Sequence, residues 1–362
     1  MREKARAAGQ KPRYDGHCRE LGLGPGPGRC VRLKIPREGK VVFDDMVKGR
    51  IAVDVAELDD MVIQRADGTP TYNMAVVVDD HDMGVTHVVR GDDHVSNTPR
   101  QILLYRALGI PEPVFGHVPM ILGKDRQKLS KRHGARAVIE YENDGLLPDA
   151  LVSYLARLGW SHGDQELFER EELREFFDGK NLNPSPAAFD PDKLEWCNAH
   201  FLRKLPREKL IALVRPFLKK AGLPELDDAR LAPLCEMFRE RASDLVALAE
   251  SFRPLLVKAA ELEYAPKDAK KHFTAKGKTH LLNLVPIFQS LESFNAQTVE
   301  AALNGYVTDN GLGFKEVAPP LRTALMGFMG GSHLNEIMDF LGKDETLARL
   351  QKAAELCDAA PV

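Results

Sequence analysis

The sequence predicts an α/β core followed by an all-α half, and three observations carry that expectation. Two continuous apolar runs, Ala75-Val76-Val77-Val78 and Thr86-His87-Val88-Val89, read as strands covered on both faces. Between the second run and a further strand expected at His117 to Leu122 lies SNTPRQILLYRALG, a helix of about ten residues, so the order is strand, helix, strand, as in a parallel sheet. Beyond about residue 145 the apolar residues recur at helical spacing to the end of the chain.

Taken in order, the opening is basic and rich in turns. Residues 1–50 hold thirteen Lys/Arg against six Asp/Glu, with GLGPGPG at 22–28. From Val31 the runs VRLKI, VVFDDMV and IAVDV are short, β-branched and separated by Gly and Pro, which predicts a small antiparallel sheet and no helix of any length before residue 54. In the βαβ unit Thr98 is placed as N-cap, Pro99 as first helical residue and Gly109 as stop. Ligands of such sheets sit beyond the carboxyl ends of the strands, where Arg90 to His94 and Gly123 to His133 would both lie. The all-α half is read from ALVSYLARLGW, EELREFF, REKLIALVRPFLKKAG, LAPLCEMFRERASDLVALAESF and TALMGFM.

Composition narrows the function classes. Fifty Lys+Arg against 53 Asp+Glu exclude a histone-like protein, so any nucleic-acid surface must be local. No run approaches the roughly 18 apolar residues of a membrane span, and MREKARAAGQKPR offers no signal-peptide core, so a cytoplasmic protein without a membrane partner is expected. The five scattered cysteines, Cys18, Cys30, Cys197, Cys235 and Cys357, suit reduced thiols.

The most specific local feature is Gly123-Lys124-Asp125-Arg126 followed by Lys128-Leu129-Ser130-Lys131-Arg132-His133-Gly134. Five cationic side chains fall within nine residues, Lys124 to Arg132, at the mouth of a parallel sheet. Such a loop can close over a polyphosphate, and cations placed where negative charge develops typically contribute roughly 10²- to 10³-fold each.

KLSKR resembles the second signature loop of class I aminoacyl-tRNA synthetases, and the surrounding sequence is similar to the bacterial glutamyl-tRNA synthetases in particular. The resembling segments, in family order, are residues 11–18 (KPRYDGHC), 67–102 (DGTPTYN to NTPRQI), 128–134 (KLSKRHG), 147–166 (LPDALVSYLARLGWSHGDQE), 189–205 (FDPDKLEWCNAHFLRKL) and, less specifically, 341–353. The resemblance implies the second half of a class I Rossmann-type sheet. A small α+β acceptor-binding insert would precede it, with helical connecting and anticodon-binding domains after it. Residues 1–72 would then be a partial acceptor-stem domain, 73–127 the catalytic half-sheet, 128–205 the signature loop and connecting helices, and 206–362 the anticodon region.

The implied activity is ATP-dependent activation of glutamate and its transfer to the 3′ end of tRNA(Glu), with ATP and Mg²⁺ required and no zinc expected. Lys131 would contact the ATP phosphates, with Lys128 and Ser130 shaping the loop; Ile121 would offer backbone groups to adenine and Asp93 would lie near ATP. Tyr72 and Arg90 fall where the family holds the amino acid, and a guanidinium can pair bidentately with the glutamate side chain. Val76 stands where a related enzyme carries a polar substrate contact, Asp92 could cap the following turn, and His94 could serve the core, a cap or the site. In the opening domain only Cys18 remains of a possible metal element, Glu20 standing where a histidine ligand could be, short of the four ligands of a closed site. Basic residues for tRNA are Arg2, Lys4, Arg6 and Lys11, with Lys267, Lys270, Lys271 and Lys276 farther on.

One family element is absent. None of the eleven histidines has another three residues later, so the His-x-Gly-His signature is missing, and the resemblance begins inside the acceptor insert. Three readings follow: an N-terminally truncated ligase, a catalytically inactive tRNA-binding or regulatory fragment, or one half of a split ligase completed by an N-terminal polypeptide. A missing part of the sheet would also expose an apolar edge within residues 75–89.

Overall fold

The turn-rich opening gives four short strands: β1 (Val31–Arg32), β2 (Lys40–Asp45), β3 (Gly49–Asp54) and β4 (Val62–Gln64). The structure is a computed structural model that describes residue 9 and residues 14–24, 26–129 and 137–359. The β2 strand pairs antiparallel with β3, as expected of VVFDDMV and IAVDV, but β1 pairs antiparallel with β4 in a separate two-stranded sheet instead of joining them. Strand period 2 turns Val41, Phe43 and Asp45 inward together. That is unusual, because the third inward position is a carboxylate.

The β2–β3 hairpin does not stand apart. Helix α1 (Tyr72–Asp82), strand β5 (His87–Gly91), helix α2 (Thr98–Leu108) and strand β6 (Val114–Val118) follow. The sheet runs β3-β2-β6-β5, with β6 parallel to both β5 and β2. Ile35, Val41, Phe43 and Val55 share one core with Val77, Ile102, Leu103, Leu104, Tyr105 and Phe115. A division at residue 72 therefore runs through a single core.

Residues 75–78 are not a strand but the middle of α1, which lays Val77 fully buried on the sheet while its polar end, Asp79 to Asp82, leaves the core. A short apolar run cannot by itself separate a strand from a buried helical turn. The parallel end of the sheet is accordingly β5, paired among the described residues only with β6, while β3 forms the other edge. The following strand ends four residues earlier than expected, at Val118, because Pro119 has no N–H to continue the ladder. Helix α2 matches its expected span and stops at Gly109, whose φ of 67° is left-handed, but its N-cap is Asn97 rather than Thr98.

The chain divides into two units, 1–135 with 153–190, and 136–152 with 191–362. The first closes with the Pro148–Gly159 helix, shared across the division, and the short Arg170–Phe176 helix, where Trp160 and Phe168 are buried against each other. The second is all-α. Its helices include Pro191–Lys204, Arg207–Lys220, Asp228–Phe238, Leu245–Leu256, Ala275–Gln289, Ala296–Asp309, Phe314–Met326 and Leu334–Ala359, the last being two helices joined at Gly342. Arg349, fully buried, donates to the carbonyls of Pro254 (2.7 Å), Val257 (2.6 Å) and Leu325 (2.5 Å). These carbonyls belong to the C-terminal ends of two helices, where the last four C=O groups have no intrahelical partner. No helix among the described residues is long and apolar enough to cross a membrane.

Candidate active site

The parallel pair β5–β6 brings the ends of two strands to one side, and Arg90, next to last in β5, is held there on two of its three nitrogens. Its Nε donates to His117 Nε2 at 3.3 Å, and its Nη2 donates to Thr98 Oγ1 at 2.9 Å and Gln101 Oε1 at 2.7 Å. Nη1 has no hydrogen-bond partner among the described residues. The bidentate fork expected of Arg90 is thus partly occupied by the protein, and a carboxylate would meet Nη1. Burial lowers the guanidinium's pKa, with Tyr72, Asp80, Tyr105 and Asp93 opposing that shift. Thr98 is spent on Arg90 and His117, which explains why Asn97 rather than Thr98 occupies the N-cap position.

Beyond β5 the chain turns through Asp92–His94. Gly91 lets the Asp93 carboxylate fold back over the bend, where a Cβ would stand 2.7 Å from Oδ1 and push that side chain aside. His94 Nδ1 lies 3.2 Å from Asn97 Nδ2 and 3.4 Å from the Tyr72 hydroxyl, both donors, which leaves the ring proton on Nε2, 4.0 Å from Asp93 Oδ1. The histidine read as core, cap or site residue therefore links the two site residues Tyr72 and Asp93. Asp92 does not merely cap a turn; it receives Lys48 Nζ at 2.9 Å from the β2–β3 turn. Val76 lies on α1.

The second loop begins after β6. Ile121 accepts the Leu129 N–H at 2.9 Å and Gly123 donates to the Gln127 carbonyl at 2.8 Å, forming a narrow turn with Arg126 at a φ of 60°. The Ile121 N–H has no hydrogen-bond partner among the described residues. Lys128, with a largely exposed side chain, places Nζ 3.7 Å from Asp93 Oδ2, so one described cation of the loop meets the other loop's acid. Ser130 and Lys131 lie outside the described residues, as do Arg2, Lys4, Arg6 and Lys11.

Sequence reasoning missed the innermost layer of the site. His117 and Asp45 are both buried, with Nδ1 2.5 Å from Oδ2. Burial pushes the Asp45 carboxyl up, but hydrogen bonds from the Lys48 N–H, the His117 ring and the Val47 and His117 N–H groups outweigh it and hold the pKa below the ordinary value. The signal was an inward titratable residue on each of two strands, Asp45 in KVVFDD and His117 in VFGHV, which burial allows only with a partner. Elsewhere Glu20 pairs with Arg19, Lys34 and Arg37, and Cys18 is exposed. Lys267, Lys270 and Lys271 share the Pro266–His272 helix, while Lys276 is paired with Glu316.

The family model for the catalytic domain of class I tRNA synthetases (E and Q) matches residues 1–196, and that for an anticodon binding domain matches residues 209–354. The chain belongs to the class I glutamate–tRNA ligases. It is 60% identical to the glutamate–tRNA ligase of Nitratidesulfovibrio vulgaris (strain Hildenborough) over 98% of its own length and 77% of the relative's. Against the Geobacter sulfurreducens ligase it is 44% identical over 97% of this chain and 75% of the relative. The crystal structure of a glutamate tRNA ligase from Elizabethkingia meningosepticum in complex with its amino acid superposes with a TM-score of 0.88 at 26% identity, covering 98% of this chain and 76% of that one. The half-sheet and helical half are thus the ligase architecture.

Proposed function

We propose that this chain acts in the cytoplasm as a glutamate–tRNA ligase, forming glutamyl-adenylate from glutamate and ATP and passing the glutamyl group to the 3′ end of tRNA(Glu). The observation that carries the reading is Arg90, fixed on Nε and Nη2 with Nη1 left over, beside Tyr72 and the loop containing Lys128. The glutamate α-carboxylate attacks the α-phosphate and pyrophosphate leaves, so the protein's work is positioning and charge stabilisation. Arg90 would hold the side-chain carboxylate, Tyr72 would flank it, the Ile121 N–H would meet adenine, and Lys128 with Lys131 and Ser130 would border the phosphates. ATP bound there supplies the phosphoryl electrophile. Among the described residues no three His, Cys, Asp or Glu gather as a metal site, so Mg²⁺ would enter with the phosphates. Lys267, Lys270 and Lys271 would meet the tRNA backbone.

The test is glutamate- and tRNA-dependent exchange of pyrophosphate into ATP, with Lys128→Ala expected to lower kcat about 10²-fold. Exchange without dependence on glutamate would sink the reading. A second reading, a ligase completed by another polypeptide, is favoured by the edge of β5, which pairs with β6 alone among the described residues. Exchange that appears only after a co-purifying polypeptide is restored would select it.

A further inference from the structure

We propose that His117, locked by Asp45, is a positioning residue for Arg90: it presents an unprotonated Nε2 to the guanidinium and so leaves Nη1 as the outlet toward the glutamate side chain. This rests on the reading of Arg90 as the glutamate contact. A guanidinium only donates, so the ring nitrogen facing Arg90 Nε at 3.3 Å must carry a lone pair. The ring proton then sits on Nδ1, which points at Asp45 Oδ2. Asp45 is itself fixed by its other oxygen, which accepts the N–H groups of Val47 (2.9 Å), Lys48 (2.9 Å) and His117 (3.1 Å). The opposite tautomer would set N–H against N–H on one side and lone pair against carboxylate on the other.

Thr98 closes the arrangement. Its Oγ1 accepts from Arg90 Nη2 and stands 3.0 Å from His117 Nε2, with the His94 carbonyl at 3.5 Å as an acceptor for its hydroxyl proton. Gln101 Oε1 takes the second Nη2 proton, and the Gln101 amide is turned by Asn73 Oδ1 at 3.1 Å. His117, Thr98 and Gln101 are all essentially without solvent exposure. A residue that merely filled space would be indifferent to which nitrogen bears the proton; here only one assignment leaves Arg90 aimed.

The test uses the full chain with two isosteric variants that separate the ring's two bonds. His117→Asn keeps a donor near the Nδ1 position for Asp45 and loses the acceptor for Arg90; His117→Gln places an acceptor near the Nε2 position and loses the Asp45 bond. Long-range ¹H–¹⁵N spectra of imidazole-labelled wild type should show His117 as the Nδ1–H tautomer at pH 7.5, whether or not the sample turns over. An Nε2–H or doubly protonated ring overturns the proposal. In pyrophosphate exchange, His117→Asn should raise KM for glutamate about tenfold with KM for ATP within about twofold, and His117→Gln should fall between it and wild type. A loss of thermal stability with unchanged glutamate KM in both variants also overturns it. Arg90→Lys separates the two claims: a wild-type glutamate KM there defeats the reading of Arg90 while the tautomer result still stands on its own.

Discussion

Replacing Arg349 by Met should destabilise the all-α unit by about 4 kcal/mol. Arg349 has no solvent exposure and bonds three carbonyls at helix C-termini, with its Nε on Glu345 Oε1 at 2.8 Å. Methionine fills much the same volume, so cavity formation contributes little. Leaving an acceptor unsatisfied costs about 1–3 kcal/mol, so one buried carbonyl at about 2 and two partly buried ones at about 1 each give about 4 kcal/mol. That agrees with the roughly 3–5 kcal/mol for removing one partner of a buried ion pair. Burial lowers the Arg349 pKa and Glu345 opposes the shift; an arginine stays charged throughout. The assay is urea unfolding followed by far-ultraviolet circular dichroism. The midpoint of the helical transition should fall with its slope unchanged. A shift worth under about 1 kcal/mol, or an equal shift in Lys352→Met, would refute the reasoning, because Lys352 bonds the carbonyls of Ala259, Ala260 and Leu262 from a less enclosed position.

Arg90→Ala should raise KM for glutamate by about 10- to 100-fold, the value of one charged hydrogen bond of about 1.5–3 kcal/mol, measured by pyrophosphate exchange. Because Asp45 is held below its ordinary pKa, its contribution is complete above about pH 5 and is lost as pH falls through the folded value. The gap in thermal midpoint between wild type and Asp45→Asn should therefore stay constant from pH 8 to about 5 and narrow below about 4; a gap that widens on acidification would contradict the assignment. Cys235, buried and with its thiol pushed up to about 12, should resist iodoacetamide in the native protein while exposed Cys18 and Cys30 label quickly, as read by peptide mass mapping.

What the sequence disclosed depended on how local the signal was. Helix α2 was legible almost to the residue, since Pro99 and Gly109 punctuate it within one stretch of chain. The valine run 76–78 misled because its burial is decided by the sheet beneath α1, not by its own spacing. Tyr72, Arg90 and Lys128 were named from motif resemblance, and the structure places His94 3.4 Å from Tyr72 and Asp93 3.7 Å from Lys128. The Asp45–His117 pair was not, because its members stand 72 residues apart and neither sits in a pattern. Even so, period-2 counting along KVVFDD already aims Asp45 inward, and an inward carboxylate is a question the sequence could have raised.

The joining of the β2–β3 hairpin to β6 bears on the order in which the molecule assembles. Asp45 meets Phe115 and His117 across a long intervening segment. Closing such a loop costs chain entropy before the contact returns anything, so sheet closure should be a late, slow event. During synthesis the hairpin leaves the ribosome well before β6 exists, with its inward carboxylate still hydrated. Arg90 then acquires its bond to His117 only when β6 docks, which makes the orientation of its guanidinium a reporter of completed folding in this unit.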